Sequence, residues 1–307
     1  MEAVVESIVE TYIKSIEHRT EENIMSWEQV PFPVLSDAQF LQWQALLEDR
    51  TGMYVSFYHR SLLQSNLIIR MREIECSNFD NYYSRVCAKP SGIVEWSILL
   101  DRLMVQETRF YRNPESLLLF QDFLESRINS NSTTQSLNIW SVGCSSGEEP
   151  YTLAILCQEA IKKYRKICTF GVTATDISLP VLSKAREAIY SSRKLLDMNQ
   201  EHIDLYFDQL NKDIFKVSDQ IKQKVCFSMA NMIEVDKSPL RNMDAIYCQN
   251  VLIYFRKERK QIILDCLVER LAPGGILVIG QGEAVDWENP LVTRVDNNQT
   301  LAFTRHK

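Results

Sequence analysis

From residue 137 onward, apolar runs of strand length alternate with segments of helical period, and this limits the folds open to the chain. The order is LNIWSV, a helical stretch over 149–164, ICTFGVTAT, helical stretches over 179–189 and 199–207, VCFSMA, MDAIYCQ, a helical stretch over 256–271, GILVIG and a closing LAFTR. Strands and helices that alternate in this way predict a parallel sheet covered by helices, an α/β fold. Between 207 and 230 the segment DQLNKDIFKVSDQIKQKVCFSMA carries two alternating runs joined by a polar turn. This predicts a small β insertion at about 207–230.

The first third of the chain has the other periodicity. Ser36 is placed as an N-cap, and DAQFLQWQALLEDR, HRSLLQSNLIIRMREI, FDNYYSRV and VEWSILLDRLMV follow, each with helical spacing of its apolar residues. Before them, Val4, Val5, Ile8, Val9, Tyr12, Ile13 and Ile16 form an amphipathic stripe, and SWEQVPFPVLS reads as a linker. The expected organisation is an N-terminal amphipathic helix and linker over 1–35, a small all-α domain over 36–105, and the α/β domain over 106–307. Within the last, Pro114 opens a helix to about 128.

Composition excludes several classes. The 307 residues are 45% hydrophobic, enough to build sizeable cores, and carry a net charge of −6. That charge offers no basic surface for nucleic acid or an anionic membrane. No apolar run approaches the ~20 residues of a membrane span, and MEAVVESIVE is acidic where a secretory leader is basic. The eight cysteines are scattered without a CxxC pair. The expectation is a cytoplasmic protein with reduced thiols and no bound metal.

In an open α/β sheet, ligands bind beyond the carboxyl ends of the strands. The first strand delivers Gly143, Cys144, Ser145, Ser146, Gly147, Glu148 and Glu149 there. The second delivers Asp176, the third Asn231, and the fourth Asn250 with Tyr254 a turn further on. Three ligands compete for the glycine loop. A pyrophosphate would favour a helix N-terminus, but the two glutamates repel it and the third glycine of that fingerprint is missing. GCSSG also matches the G-x-S-x-G of a hydrolase elbow, but only His202 and His306 follow Ser145, in positions poorly suited to a triad. S-adenosylmethionine has a sulfonium, an ammonium, a ribose diol and no phosphate. Glycines admit its methionine part, the acidic turn suits its charges, and Asp176 suits the diol.

With these residues assembled, the chain resembles the CheR family of chemotaxis-receptor methyltransferases. The resemblance rests on QETRFYRNPESL, IWSVGCSSGEEPYTLAIL, TATDISLPVLSKAREAIY, CQNVLIYF and LAPGGILVIGQGE, in family order and covering roughly 36–307. It implies a helical N-terminal domain, a Rossmann-like S-adenosylmethionine-dependent methyltransferase domain with a small β insertion, and methyl transfer to receptor glutamate carboxylates, leaving S-adenosylhomocysteine. It implies cofactor-binding roles for Gln106, Thr108, Arg112, Gly143, Glu149, Asp176, Asn231, Met232, Gln249 and Asn250, with Arg112 and Tyr254 facing the transferred methyl as the catalytic pair. Asp176 falls at the ribose, and Asn231 and Met232 flank the adenine. Phe110, Tyr111 and Ile253 are expected to pack.

There are departures. Asparagine is usual in the family where Gln106 stands, arginine where Gln249 stands, and serine where Gly282 stands. The helix over 59–73, thought to touch the receptor in relatives, has only His59, Arg60, Arg70 and Arg72 as basic groups. A non-catalytic sensor of S-adenosylmethionine or S-adenosylhomocysteine, or a methyltransferase for another protein, therefore stays open as an alternative. The expected partners are the cytoplasmic helical regions of methyl-accepting receptors. The insertion has no glycine from Ser191 through Tyr247, and Lys212 and Lys216 are expected on its edge strand. Tight capture of a C-terminal receptor pentapeptide is accordingly not expected.

Overall fold

The computed structural model describes residues 34–104, 107–130, 136–165, 168–284, 286–297 and 299–306. The amphipathic stretch at 4–16 and Gln106 lie outside the described residues. The chain divides into two compact units at about residue 105.

The first unit is helical: α1 (Asp37–Thr51), α2 (Arg60–Glu73), α3 (Phe79–Cys87) and α4 (Gly92–Leu103). Ser36 starts α1 with a complete capping box, its hydroxyl accepting from the Gln39 amide while the Gln39 side chain reaches back. Gly52 ends the helix in the left-handed conformation at φ 76°, which glycine adopts without a Cβ penalty. Phe40, Trp43, Leu47, Leu63, Leu67, Phe79 and Leu99 meet in one apolar core. Buried in this unit, Arg70 donates to Glu95 through Nε and Nη2, both at 2.8 Å, and the Tyr82 hydroxyl donates to the same carboxylate at 2.9 Å. Arg70, counted above among the basic groups of this helix, is therefore only 1% exposed and lies inside the domain. Its charge is matched by an internal carboxylate rather than offered at a surface.

The second unit is built on a seven-stranded sheet in the order β6-β2-β1-β7-β8-β10-β9. Its strands are β1 (Ser136–Val142), β2 (Thr169–Asp176), β6 (Val225–Met229), β7 (Met243–Cys248), β8 (Leu271–Ile279), β9 (Val292–Arg294) and β10 (Leu301–Arg305). The first five pair in parallel, and β10 runs antiparallel between β8 and β9. Helices α5 (Pro114–Ser130), α6 (Glu148–Tyr164), α7 (Leu179–Glu187) and α10 (Lys257–Arg270) accompany them. Ile139, Leu153, Ile155 and Val172 belong to one core, and Trp140, Val142, Ile246, Leu264 and Leu267 to another. Alternate residues of β1 enter different cores, as expected of a strand whose side chains point to opposite faces.

The insertion differs from its expected bounds. A three-stranded antiparallel sheet, β3-β5-β4, joins β3 (Ile189–Ser191), β5 (Ile214–Val217) and β4 (Phe207–Gln209), with α8 (Gln200–Tyr206) between β3 and β4. It therefore starts at Ile189, and VCFSMA is no part of it. Val225–Met229 is the outer strand of the main sheet, held beside β2 from Val172↔Val225 to Asp176↔Met229. A four-residue helix, α9 (Asp219–Lys222), turns the chain between β5 and β6. Lys216 sits on the central strand β5, opposite Ile189 and Asp208, so it does not guard an edge. The edges are β3 and β4, three residues each.

Candidate active site at the carboxyl rim

Because β1, β2, β6, β7 and β8 run parallel, their carboxyl ends form one rim. The register sets Val142 beside Thr175, Asp176 beside Met229, and Cys248 beside Ile279. Met229, Asp176, Gly143, Gln249 and Gly280 thus fall along one line. The polar residues after each strand are gathered there by register, not by proximity in sequence.

The loop after β1 folds tightly. Gly143 has φ +67°, and a Cβ there would come within 2.3 Å of Val251 Cγ2. Its amide and that of Cys144 both donate to the Thr175 carbonyl, at 2.7 and 3.0 Å. The Ser145 amide donates to Asp176 Oδ2 at 2.9 Å, tying the loop to the end of β2. Ser145 itself lies at φ +48°, and its Oγ is buried with no hydrogen-bond partner among the described residues. No base reaches this hydroxyl: His202 Nδ1 is bonded to the Tyr111 hydroxyl at 2.7 Å, and His306 to Thr293. The triad required by the hydrolase alternative is absent among the described residues.

The two glutamates that open α6 have separate jobs. Glu148 is fully buried and pairs with Lys194 Nζ at 3.0 Å. Lys194 also donates to the Thr108 carbonyl at 2.5 Å, and its own carbonyl accepts from the Phe110 amide at 3.1 Å. Phe110, fully buried, packs edge-on against Tyr190 and Phe207. Glu148 and Lys194 therefore fasten the ETRFYR segment, the insertion and the rim loop together. Glu149 keeps some accessible surface, yet its carboxylate sits deep, and burial pushes its pKa up from the ordinary 4.5 to about 7. The Ser141 hydroxyl, donating at 2.7 Å, and the Arg112 charge work against that rise, while Glu283 adds to it.

Arg112 is half-buried, and Nη1 donates to the Glu107 carbonyl at 2.7 Å. Thr108 is half-buried beside it in sequence. Asn231 caps the turn Met232–Lys237, accepting from the Ile233 amide at 3.3 Å. Met232, 8% exposed, is packed in the core that holds Trp140 and Leu267. Gln249 is buried, and its Oε1 accepts from Asn113 Nδ2 at 3.0 Å and Ser116 Oγ at 3.4 Å. An amide here joins the start of α5 to the end of β7. Asn250 takes φ +61°, and Tyr254, half-buried, ends the short turn Leu252–Tyr254. Ile253, expected to pack, is 57% exposed; its backbone amide, not its side chain, is engaged.

Glu283 is a site residue that the sequence pattern does not single out. It is 2% exposed, and its carboxylate takes hydrogen bonds from the amides of Ile253 and Gly280, at 3.1 and 2.7 Å. The only sequence signal was a carboxylate in GQGE just past the β8 run, and nothing local says that it turns inward. Beside it, a cavity of about 450 Å³ is lined in part by Asn113, Gln249, Asn250, Gln281 and Thr300. The thiols at the rim are no nucleophiles, since burial pushes Cys144 and Cys248 well above the usual thiol range.

The residues fit S-adenosylmethionine. A deep carboxylate at Glu149, ionised in full near pH 7 only when a cation lies beside it, suits a positively charged ligand, the buried Ser145 hydroxyl has no hydrogen-bond partner among the described residues, and the acidic turn is wrong for phosphate.

Comparison with known proteins agrees. A family model described as CheR methyltransferase, SAM binding domain, matches residues 106–301, and one described as CheR methyltransferase, all-alpha domain, matches 38–104. Chemotaxis protein methyltransferase 2 of Vibrio cholerae is 29% identical over 82% of this chain and 87% of its own length. The chemotaxis protein methyltransferase of Borreliella burgdorferi is 31% identical over 76% of this chain and 83% of its own. That of Escherichia coli is 28% identical over 81% and 85%. With an all-α domain and a rim suited to a sulfonium cofactor, matched from 38 to 301, this chain belongs to the CheR methyltransferase family and is an S-adenosylmethionine-dependent enzyme.

Proposed function

We propose that the protein transfers methyl from S-adenosylmethionine to glutamate side chains in the cytoplasmic helical regions of chemotaxis receptors, forming methyl esters. The observation that carries this reading is the pair of carboxylates fixed at the rim, Glu149 by the Ser141 hydroxyl and Asp176 by the Ser145 amide, an acidic lining suited to a cationic donor with a ribose diol. No helix among the described residues is long and apolar enough to cross a membrane.

Bound S-adenosylmethionine supplies an electrophilic methyl group. Glu149 balances the positive charge at the methionine end, and Asp176 holds the ribose diol while keeping the Ser145 amide in place. Asn231 and Met232 border the adenine; Thr108, Gly143, Gln249 and Asn250 complete the cofactor wall, with Gln106 as the remaining candidate. An acceptor glutamate is already ionised at pH 7, so no strong base is needed. The protein's task is alignment, and positioning alone can contribute about 7–11 kcal/mol. Arg112 has five N–H donors, so with one held by the Glu107 carbonyl it can still fix one acceptor oxygen while the other attacks. Tyr254 donates to the same group.

Incubating the protein with methyl-labelled S-adenosylmethionine and receptor-containing membranes tests this. Base-labile label on receptors supports the reading; label appearing only on another protein of a whole lysate would replace the substrate. A second reading, a non-catalytic sensor, is favoured by Gln249, which stands in for an arginine and is bonded to Asn113 and Ser116. Cofactor binding with no label on any protein would establish it.

In this reading substrate is recognised without strand addition to the small sheet. Three-residue edges offer few ladder bonds to a docking peptide. Titration with C-terminal receptor pentapeptides should give no affinity in the low micromolar range.

A further inference from the structure

Two of the residues assigned above to cofactor and methyl, Asn250 and Tyr254, stand on the short loop after β7, whose Leu252 and Phe255 side chains are anchored in the core while its backbone lies outside the sheet's ladder. Asn250 lies at φ +61°, in the left-handed region that asparagine enters more readily than most side chains. Leu252–Tyr254 makes one tight turn, with Ile253 pointing outward. A loop of this kind keeps its shape only if its amides have fixed acceptors.

Glu283 provides them. It comes from the turn after the neighbouring strand β8, and its side chain lies under the β7 loop, 2% exposed. Oε1 accepts from the Ile253 amide at 3.1 Å and Oε2 from the Gly280 amide at 2.7 Å. The amides of Asn250 and Leu252 also turn toward the carboxylate. Gly280 leaves the space: a Cβ there would fall 2.4 Å from Oε2. Burial raises the cost of this charge and the four amides lower it. An anion placed so deeply is a poor choice for packing alone, since an apolar side chain would avoid the desolvation. What it does uniquely is accept from two loops at once.

We propose that Glu283 is a positioning residue for methyl transfer, a carboxylate clasp that locks the β7 loop onto the β8 turn and so sets where Asn250 and Tyr254 point. The inference rests on the reading of the rim as the methyl-transfer site. The cofactor groups on other loops are held by separate hydrogen bonds, Glu149 by Ser141, Asp176 by the Ser145 amide and Asn231 by the Ile233 amide, and only Glu149 also feels the Glu283 charge. The clasp should therefore govern turnover more than cofactor affinity.

Amide exchange and kinetics on the full-length wild type, Glu283→Gln, Glu283→Ala and Gly280→Ala test it. Glutamine keeps one acceptor but turns an NH2 toward an amide donor, so it should open one side of the clasp. Gly280→Ala pushes on Oε2 without removing the carboxylate. The expected result is exchange at least about tenfold faster at Leu252 and Ile253, unchanged at Ala245–Tyr247. With it, kcat should fall at least about tenfold, as for a misplaced reacting geometry, while the dissociation constant for S-adenosylhomocysteine at pH 8, where Glu149 is ionised with or without the Glu283 charge, stays within about threefold. Unchanged protection at 252–253 would overturn the clasp. So would protection lost throughout β7 and α10, because Glu283 would then support the whole fold. Faster loop exchange with kcat within twofold of wild type would overturn the positioning role. The exchange measurement needs no turnover, so a wild type that transfers no methyl would count against the proposed function and leave the clasp to be decided separately.

Discussion

The Ser141 hydroxyl donates to Glu149 Oε1 at 2.7 Å, joining the end of β1 to the first turn of α6 across the rim loop. This bond and the Arg112 charge favour the ionised carboxylate, and burial outweighs them, leaving Glu149 poised at about 7.

A pH-dependent cofactor affinity follows. Below about pH 7 the Glu149 carboxyl is neutral and offers nothing to a sulfonium or ammonium; above it, the charge is present. Calorimetry should therefore find S-adenosylmethionine bound up to about tenfold more weakly at pH 6 than at pH 8, with proton release on binding near pH 7. Glu149→Gln should flatten the dependence. Its effect on stability has the opposite sign. A carboxyl whose folded pKa is raised from 4.5 to about 7 favours the fold below 4.5 and loses that contribution as pH rises through 7. The charged form then costs roughly 3 kcal/mol, so Glu149→Gln should melt higher than wild type at pH 8 and equally at pH 4. A variant no more stable at pH 8 would contradict the assigned ionisation.

Asp176 has two tasks in the proposed site, holding the Ser145 amide and receiving the ribose. Asp176→Ala removes charge-assisted hydrogen bonds of about 1.5–3 kcal/mol each. Affinity for S-adenosylhomocysteine should fall by roughly ten- to a hundredfold. An isotherm matching wild type would remove Asp176 from the site.

Arg112 is proposed to align the acceptor carboxylate, so its contribution is realised mainly in the transition state. Arg112→Ala should lower kcat on the order of a hundredfold and change the cofactor dissociation constant far less. Arg112→Lys should recover little, because an ammonium lacks the planar fork. Equal losses in kcat and cofactor affinity would make Arg112 a cofactor ligand only.

The helical unit has its own test. Glu95→Ala removes the carboxylate that accepts from Arg70 Nε and Nη2, leaving Glu73 on Nη1 at 2.9 Å, and deprives the Tyr82 hydroxyl of its acceptor. Losing buried hydrogen bonds to a charged partner costs about 1.5–3 kcal/mol, large for a domain of this size. Urea unfolding followed by Trp43 and Trp96 fluorescence should shift to a clearly lower midpoint. Glu95→Gln should show an intermediate loss, and an unmoved midpoint for both would show that the pair contributes little.

What the sequence determined by itself is what short-range pattern encodes. The short apolar run of LNIWSV and the period of three to four in DAQFLQWQALLEDR are set by which residues must be buried along one element, and each is visible in a window of a dozen residues. The Ser36 capping box, the helix opened by Pro114 and the polar groups after each strand are equally local. The tertiary structure decided which elements meet. Ile189–Ser191 is too short to show a period, and it is a strand only because Ile214–Val217 lies beside it. Val225–Met229 reads the same as an insertion strand or a sheet strand until β2 is placed next to it. Arg70, Glu148 and Glu283 look like surface charges in the linear chain; each is buried because a partner distant in sequence, Glu95, Lys194 or the β7 loop amides, satisfies it. Charge burial and ionisation depend on the whole surrounding volume, and a linear pattern does not contain that volume.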